Sequence, residues 1–187
     1  MILSDKDIKI ALEKGDITIS PFSTEYLQPA SVDLHLDKHF LVFNTHQYAV
    51  IDPKLPIDEM MSPIEITDDG YFVLHPGEFA LGLIYETTGV SDSYVGRLEG
   101  KSSVGRLGLL IHVTAGFLDP GNSLKMTLEL HNTANMPIKL YYKMPIAQIA
   151  FEKISSPAEK PYNQMGNAKY VGDMKPKASQ MWKNFSK

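Results

Sequence analysis

Cysteine is missing from this chain, so neither a disulfide nor a thiolate-held zinc can organise it. That absence fits a cytoplasmic protein, which is the location expected. No run of about 18 apolar residues occurs, so no membrane-spanning helix is expected. The opening stretch MILSDKDIKIALEKG lacks the basic, apolar and small-residue regions of a secretory signal. A basic excess is also lacking: 18 Lys and Arg stand against 22 Asp and Glu, a net charge of −4. A nucleic-acid polymer is therefore not expected as a partner, because a phosphate backbone draws in basic surfaces. A local pocket for one triphosphate is compatible with that balance. There is no internal repeat, heptad pattern or low-complexity segment.

What is present reads as one ordinary globular domain with an extended tail. The chain has 187 residues, 43% hydrophobic and 21% charged, enough for a substantial core. Ser4 is placed to cap a first helix, with Asp7 three residues on, Ile8, Ala11 and Leu12 on one face, and Gly15 at its end. From Ile17 the pattern turns to strands: SVDLHL (31–36), HFLVF (39–43), YAVID (48–52), YFVLH (71–75) and FALGLIYET (79–87). YVGRLEG (94–100), LLIHV (109–113), KMTLELHN (125–132), IKLYYK (138–143) and IAQIAFEKI (146–154) continue it. Many short strands and few helices predict a mainly β fold, a distorted barrel or jelly roll with short helices. Pro53, Pro56 and Pro63 mark an irregular excursion. Residues 155–187 lose the alternation. They are either a loosely ordered terminus or an arm that closes over a ligand through Tyr162 and Lys169.

Residues 97–130, RLEGKSSVGRLGLLIHVTAGFLDPGNSLKMTLEL, hold the densest set of reactive side chains. Ser102 and Arg106 are four apart, so a helical turn would put them on one face. Lys101, Arg106 and the N–H groups at the start of that turn would form an anion cradle. Asp119 precedes Pro120-Gly121, a turn able to hold an acid at a strand end. In 125–132, Met126, Leu128 and Leu130 would face one side and Thr127, Glu129 and His131 the other. A phosphate cradle with two separated carboxylates suggests a nucleotide, a water and proton transfer.

Other chemistries fit less well. Gly100-Lys101-Ser102 ends like a Walker A loop, but the leading glycine would fall on Val95, and the context is all β. A zinc deaminase needs a Cys-x-x-Cys pair that this chain cannot supply. Ser102 and Ser103 lack the Gly-x-Ser-x-Gly elbow of a nucleophile, so they read as phosphate-binding or water-positioning hydroxyls. His112 reads as a core or supporting hydrogen-bonding residue. Exposure on an alternating strand face is the plainer reading of Glu129.

The segment GKSSVGRLGLLIHVTAGFLDPG followed by MTLEL resembles the dCTP deaminase branch of the dUTPase superfamily. QPASVDLHL (28–36), MPIAQIAFEKI (144–154) and PYN…AKY (161–170) extend the resemblance over nearly the whole chain. It implies a dUTPase-like β-barrel nucleotide-binding domain over 1–154 and a C-terminal arm over 155–187 that closes the active site. It also implies a homotrimer with active sites between subunits, dCTP or dUTP carried with Mg²⁺, and dTTP as a candidate inhibitor. By the resemblance, Ser102 and Arg106 hold and polarise the reacting groups, and Lys101 and Ser103 cradle phosphate. Val113 and Ala115 read the base through their backbone, Asp119 sits near the deoxyribose, and Glu129 is the general acid/base. Tyr162 and Lys169 close on the phosphates.

Gly116-Phe117 resembles the bifunctional members, which convert dCTP to dUMP, ammonia and pyrophosphate. The alternatives are a deaminase that releases dUTP, a dUTP diphosphatase, and a non-catalytic nucleotide-binding regulator. Two departures stand out. The run Asn122-Ser123-Leu124-Lys125 replaces the usual aromatic and glycine, and Asp173 falls where relatives commonly have glutamine.

Overall fold

The computed structural model describes residues 1–114 and 116–186. Helix α1 (Asp5–Lys14) forms as its caps dictate: Ser4 Oγ accepts the Asp7 N–H, and Gly15 closes the helix at φ 73°. Its buried Ile8 and Ala11 face the sheets. The strands follow as β1 (Ile17–Ser20), β2 (Leu27–Gln28), β3 (Ser31–His35), β4 (His39–Phe43) and β5 (Met61–Glu65). Next come β6 (Tyr71–Leu74), β7 (Phe79–Leu83), β8 (Thr87–Val90) and β9 (Tyr94–Gly100), then the one-turn helix α2 (Ser102–Gly105). The chain continues as β10 (Leu109–Leu110), β11 (Phe117–Leu118), β12 (Ser123–Leu124), β13 (Thr127–Asn132), β14 (Ile138–Tyr141) and β15 (Pro145–Lys153).

Among the described residues these strands pair in four sheets: β1-β8-β12, β10-β13-β7-β4-β5, β11-β9-β15-β3-β2 and β14-β6. The mainly β expectation stands, and the distortion of the barrel takes this form: separate antiparallel sheets around a shared core. Leu34, Phe40, Leu98, Leu128, Ile149 and Phe151 are fully buried there. Each contributes about 2 kcal/mol of transfer free energy. Phe40 stacks on Phe72 at 4.5 Å between ring centroids, joining two sheets. Among the described residues, no helix is long and apolar enough to cross a membrane.

Three expectations need correction. Residues 48–52 are not a strand, and Val50 and Ile51 are largely exposed. Both edges of β4 are taken, one by β7 and one by β5, so this apolar run does not pair with the strand it follows. Pro63 is not a break: it sits inside β5, the last strand of its sheet, where a missing N–H costs nothing if it faces outward. Residues 79–87 are not one strand but two. The chain leaves one sheet for another after β7, and the corner is fixed by buried Glu86, which accepts the His35 N–H at 3.0 Å and meets His35 Nδ1 at 2.6 Å.

The tail joins none of the sheets, yet it is tied down along its length. The Tyr162 N–H donates to Pro120 O at 2.8 Å, and the Lys125 N–H to Asp173 O at 2.9 Å. Ala178, 3% exposed, packs with Ile57, Met61 and Leu81. Gly121 lies at φ 78°, and a Cβ there would meet the Pro161 Cβ at 2.5 Å. Only glycine allows the tail to pass that close.

Candidate active site

A cavity of about 470 Å³ opens between β7, β13 and the tail. That is room for a nucleotide-sized ligand. Phe43, Met61, Phe79 and Leu81 make one apolar wall, while Asp119, Thr127 and Glu129 make a polar one. Tyr162, Tyr170, Lys177 and Ser179 of the tail cover it.

Glu129 reaches this cavity because of strand alternation. Leu128 and Leu130 are buried on the core side, which turns Glu129 and Thr127 to the other face. Its carboxylate is not left to solvent. Oε2 accepts the N–H groups of Val113 and Thr114, both at 2.7 Å, and Oε1 accepts the Thr114 hydroxyl at 3.4 Å. The Glu129 N–H donates to Ile111 O at 3.0 Å, laying the 111–114 loop against β13. Short bonds from backbone donors to a carboxylate fix its orientation without side-chain entropy.

Asp119 follows β11 and is half-buried in the same cavity. Burial pushes its carboxyl above the ordinary carboxylate range. Its backbone carbonyl accepts the Asn122 N–H at 3.1 Å, closing the Pro120-Gly121 turn. Phe117 lines the cavity beside it. Gly116 lies behind: a Cβ there would meet Leu98 O at 3.2 Å and His112 Cε1 at 3.3 Å. A larger residue would have to push the His112 ring or the β9 backbone aside.

The Lys101–Arg106 turn is helical as expected, with the Arg106 N–H donating to Ser102 O at 3.0 Å. Ser102, Ser103 and Arg106 are exposed, and among the described residues they do not line the cavity that holds Asp119 and Glu129. Lys101 is engaged elsewhere: its Nζ pairs with Asp33 Oδ2 at 2.6 Å. Within one chain the carboxylate cavity and the hydroxyl-and-guanidinium turn are therefore separate. Exposed apolar residues lie along the same stretch: Leu107, Leu110 and Val113 are 58%, 45% and 61% exposed.

Tyr162 lines the cavity as expected, and its hydroxyl accepts the N–H groups of Lys169 and Tyr170 at 3.2 and 3.3 Å. The Lys169 side chain does not line it. Ala115 lies outside the described residues. Sequence reasoning missed Thr114, Asp33, Tyr170 and Lys177. Lys177 carried a usable signal, its i,i+4 spacing from Asp173. The others depend on which strands pair.

The two departures from the family pattern belong to one feature. Ser123 and Leu124 form β12 against β8. Asn122 Nδ2 donates to Tyr170 O at 3.4 Å, and the Lys125 backbone holds Asp173. The Asp173 carboxylate turns to Lys177 Nζ at 3.0 Å.

Residues 2–154 match the family model described as dCTP deaminase-like. The chain belongs to the dCTP deaminase-like family. A family member from Corynebacterium jeikeium (strain K411), curated as dCTP deaminase, dUMP-forming, is 50% identical over 187 residues, covering 99% of each chain. One of the same name from Acidothermus cellulolyticus is 47% identical over 186 residues, 99% of this chain and 97% of its own. The crystal structure of 2'-deoxycytidine 5'-triphosphate deaminase from Agrobacterium tumefaciens shares the fold, with a TM-score of 0.64 at 19% identity. That likeness covers 81% of this chain, which spans about half of the Agrobacterium chain, 48%.

Proposed function

We propose that this family member is a cytoplasmic dCTP deaminase that forms dUMP, releasing ammonia and pyrophosphate. The observation that carries the reading is Glu129. It is a carboxylate oriented by two backbone N–H groups inside a nucleotide-sized cavity, in a chain about half identical to dUMP-forming deaminases over its full length.

In deamination, water adds at C4 of cytosine and the amine leaves as ammonia. Glu129 takes one proton from that water and passes it to ring N3, then takes the second from the resulting 4-hydroxyl and passes it to the amine, which leaves as ammonia. Its grip on Val113 and Thr114 sets where the carboxylate oxygens point, and hence where the water attacks. Val113 and Ala115 would read the base through their backbone groups. Asp119 lies near the sugar and serves the second half-reaction, in which water attacks the α-phosphorus and pyrophosphate leaves. Gly116 adds no side chain against Leu98 and His112, and Phe117 lines the cavity with Asp119.

Ser102, Ser103, Arg106 and Lys101 complete the site from a neighbouring subunit of a homotrimer. Their separation from the cavity within one chain, and the exposed Leu107, Leu110 and Val113 beside them, support this arrangement. The tail, with Tyr162 and Lys169, is the arm that covers the nucleotide. Mg²⁺ would arrive with the triphosphate, and dTTP is the candidate inhibitor. Among the described residues no cluster of three or more His, Asp or Glu could hold a metal, so the phosphates would supply its main ligands. Asp33 Oδ1, buried without a hydrogen-bond partner, could accept from a water on that ion. Bound there, Mg²⁺ would neutralise phosphate charge during pyrophosphate departure.

The test is product analysis with dCTP and Mg²⁺, with dUTP as a parallel substrate. Direct appearance of dUMP and pyrophosphate from dCTP is expected. Accumulating dUTP would leave deamination alone. Cleavage of dUTP without any product from dCTP would leave a diphosphatase, and binding without turnover a regulator.

A further inference from the structure

Lys177 is the one cation among the described residues that line the cavity. The other charged groups there are the carboxylates of Asp119 and Glu129. A polyanionic ligand entering beside two carboxylates needs a positive partner, and within this chain the geometry offers Lys177 alone. Its backbone is not that of a loose tail lysine. Four residues earlier, Asp173 O is held by the Lys125 N–H at 2.9 Å. On the other side, Ala178 is 3% exposed and packed with Ile57, Met61 and Leu81, and Ser179 lines the cavity. Both flanks are anchored, so the Lys177 side chain projects from a fixed base.

Its ammonium is also already paired. Lys177 Nζ lies 3.0 Å from Asp173 Oδ1, with the Lys177 side chain 43% exposed and Asp173 12%. The pair therefore sits where one member can move and the other cannot. A flexible ammonium that leaves a fixed carboxylate for a phosphate exchanges one charge-assisted bond for another.

We propose that Lys177 is a phosphate-binding residue of this cavity and that Asp173 holds it in reserve until a nucleotide's phosphates displace the carboxylate. The proposal rests on the deoxynucleotide reading above and adds a binding residue to it. It also gives the Asp173 departure a role. The carboxylate does not repel the ligand directly; it sets how strongly Lys177 competes for it.

The experiment measures calorimetric affinity for inorganic tripolyphosphate, and dCTP kinetics, in the full-length protein and in Lys177→Met, Lys177→Arg and Asp173→Asn. Lys177→Met should weaken tripolyphosphate and raise KM for dCTP about tenfold, with kcat within about twofold. Lys177→Arg should restore most of both. Asp173→Asn should tighten tripolyphosphate about threefold, because a partly exposed ion pair no longer competes. Unchanged affinity in Lys177→Met, equal weakening in Lys177→Arg, or no tripolyphosphate binding by the unmodified protein would overturn the proposal. So would weaker binding in Asp173→Asn. Tripolyphosphate binding that depends on Lys177, without dCTP turnover, would remove the deaminase reading and leave the anion site standing.

Discussion

The backbone N–H of Lys125 donates to the carbonyl of Asp173 at 2.9 Å, tying the hairpin after Asp119 to the C-terminal tail. These two segments carry the departures noted in the sequence, and they touch. The Lys125 side chain reaches the other way, to Asp37, which is 3% exposed. One residue thus links the floor of the fold to the segment that covers the cavity.

Lys125→Met should therefore cost stability as well as tail docking. Burial alone pushes the Asp37 carboxyl up, but the Lys125 ammonium, the Lys38 N–H and His39 outweigh it and hold it below the ordinary range. A depressed carboxylate contributes stability above its unfolded pKa and loses it as pH falls through the folded value. Removing Lys125 leaves a buried carboxylate with weaker partners, at a cost of about 3 kcal/mol near neutral pH. Denaturant unfolding should show that loss at neutral pH and a smaller one in acid. Equal stability at neutral pH would show that His39 and the Lys38 N–H suffice.

Asp119 behaves in the opposite sense. Its carboxyl titrates at higher pH folded than unfolded because burial disfavours the charge. Ionisation thus costs stability: the cost is absent below the unfolded pKa and complete above the folded one. Asp119→Asn should melt higher than the unmodified protein at neutral pH, with the difference vanishing in acid. The same variant should lose pyrophosphate release. A pH-independent difference in melting would mean that desolvation is not what Asp119 pays for in the folded state.

Glu129→Gln should slow ammonia release about a hundred- to ten-thousandfold. The amide cannot accept and return a proton, while the Val113 and Thr114 N–H groups still have an oxygen to bond. Nucleotide affinity, read by calorimetry, should change little. Ammonia release at the unmodified rate would remove Glu129 from its role.

Mixing two inactive variants tests whether a site spans subunits. In a trimer assembled from equal parts of Glu129→Gln and Arg106→Ala, about a quarter of the sites would combine an intact Glu129 from one subunit with an intact Arg106 from another. Activity should return to about that level after joint refolding. No recovery would place both residues in the site of a single chain.

Much of this was legible in the residues. Ser4 and Gly15 bounded α1 because caps act through neighbouring backbone groups. The alternation of Leu128, Glu129 and Leu130 put Glu129 on the cavity face, because a strand's period is a local property. The GKSSVGR turn, the Asp119 turn and the family followed from contiguous motifs.

What failed depended on distant partners. Residues 48–52 have the composition of a strand but pair with no sheet, and Pro63 lies in β5 because that edge faces no further strand. Nor does spacing reveal that Lys101 meets Asp33, that Lys125 meets Asp37, or that Thr114 holds Glu129. Local propensity is written in neighbouring residues, and the sequence by itself determined the first helix, most of the longer strands and the reactive groups. Which edges were free, and which charges met across the sheets, was decided by the tertiary structure, because those contacts exist only once distant segments share one core.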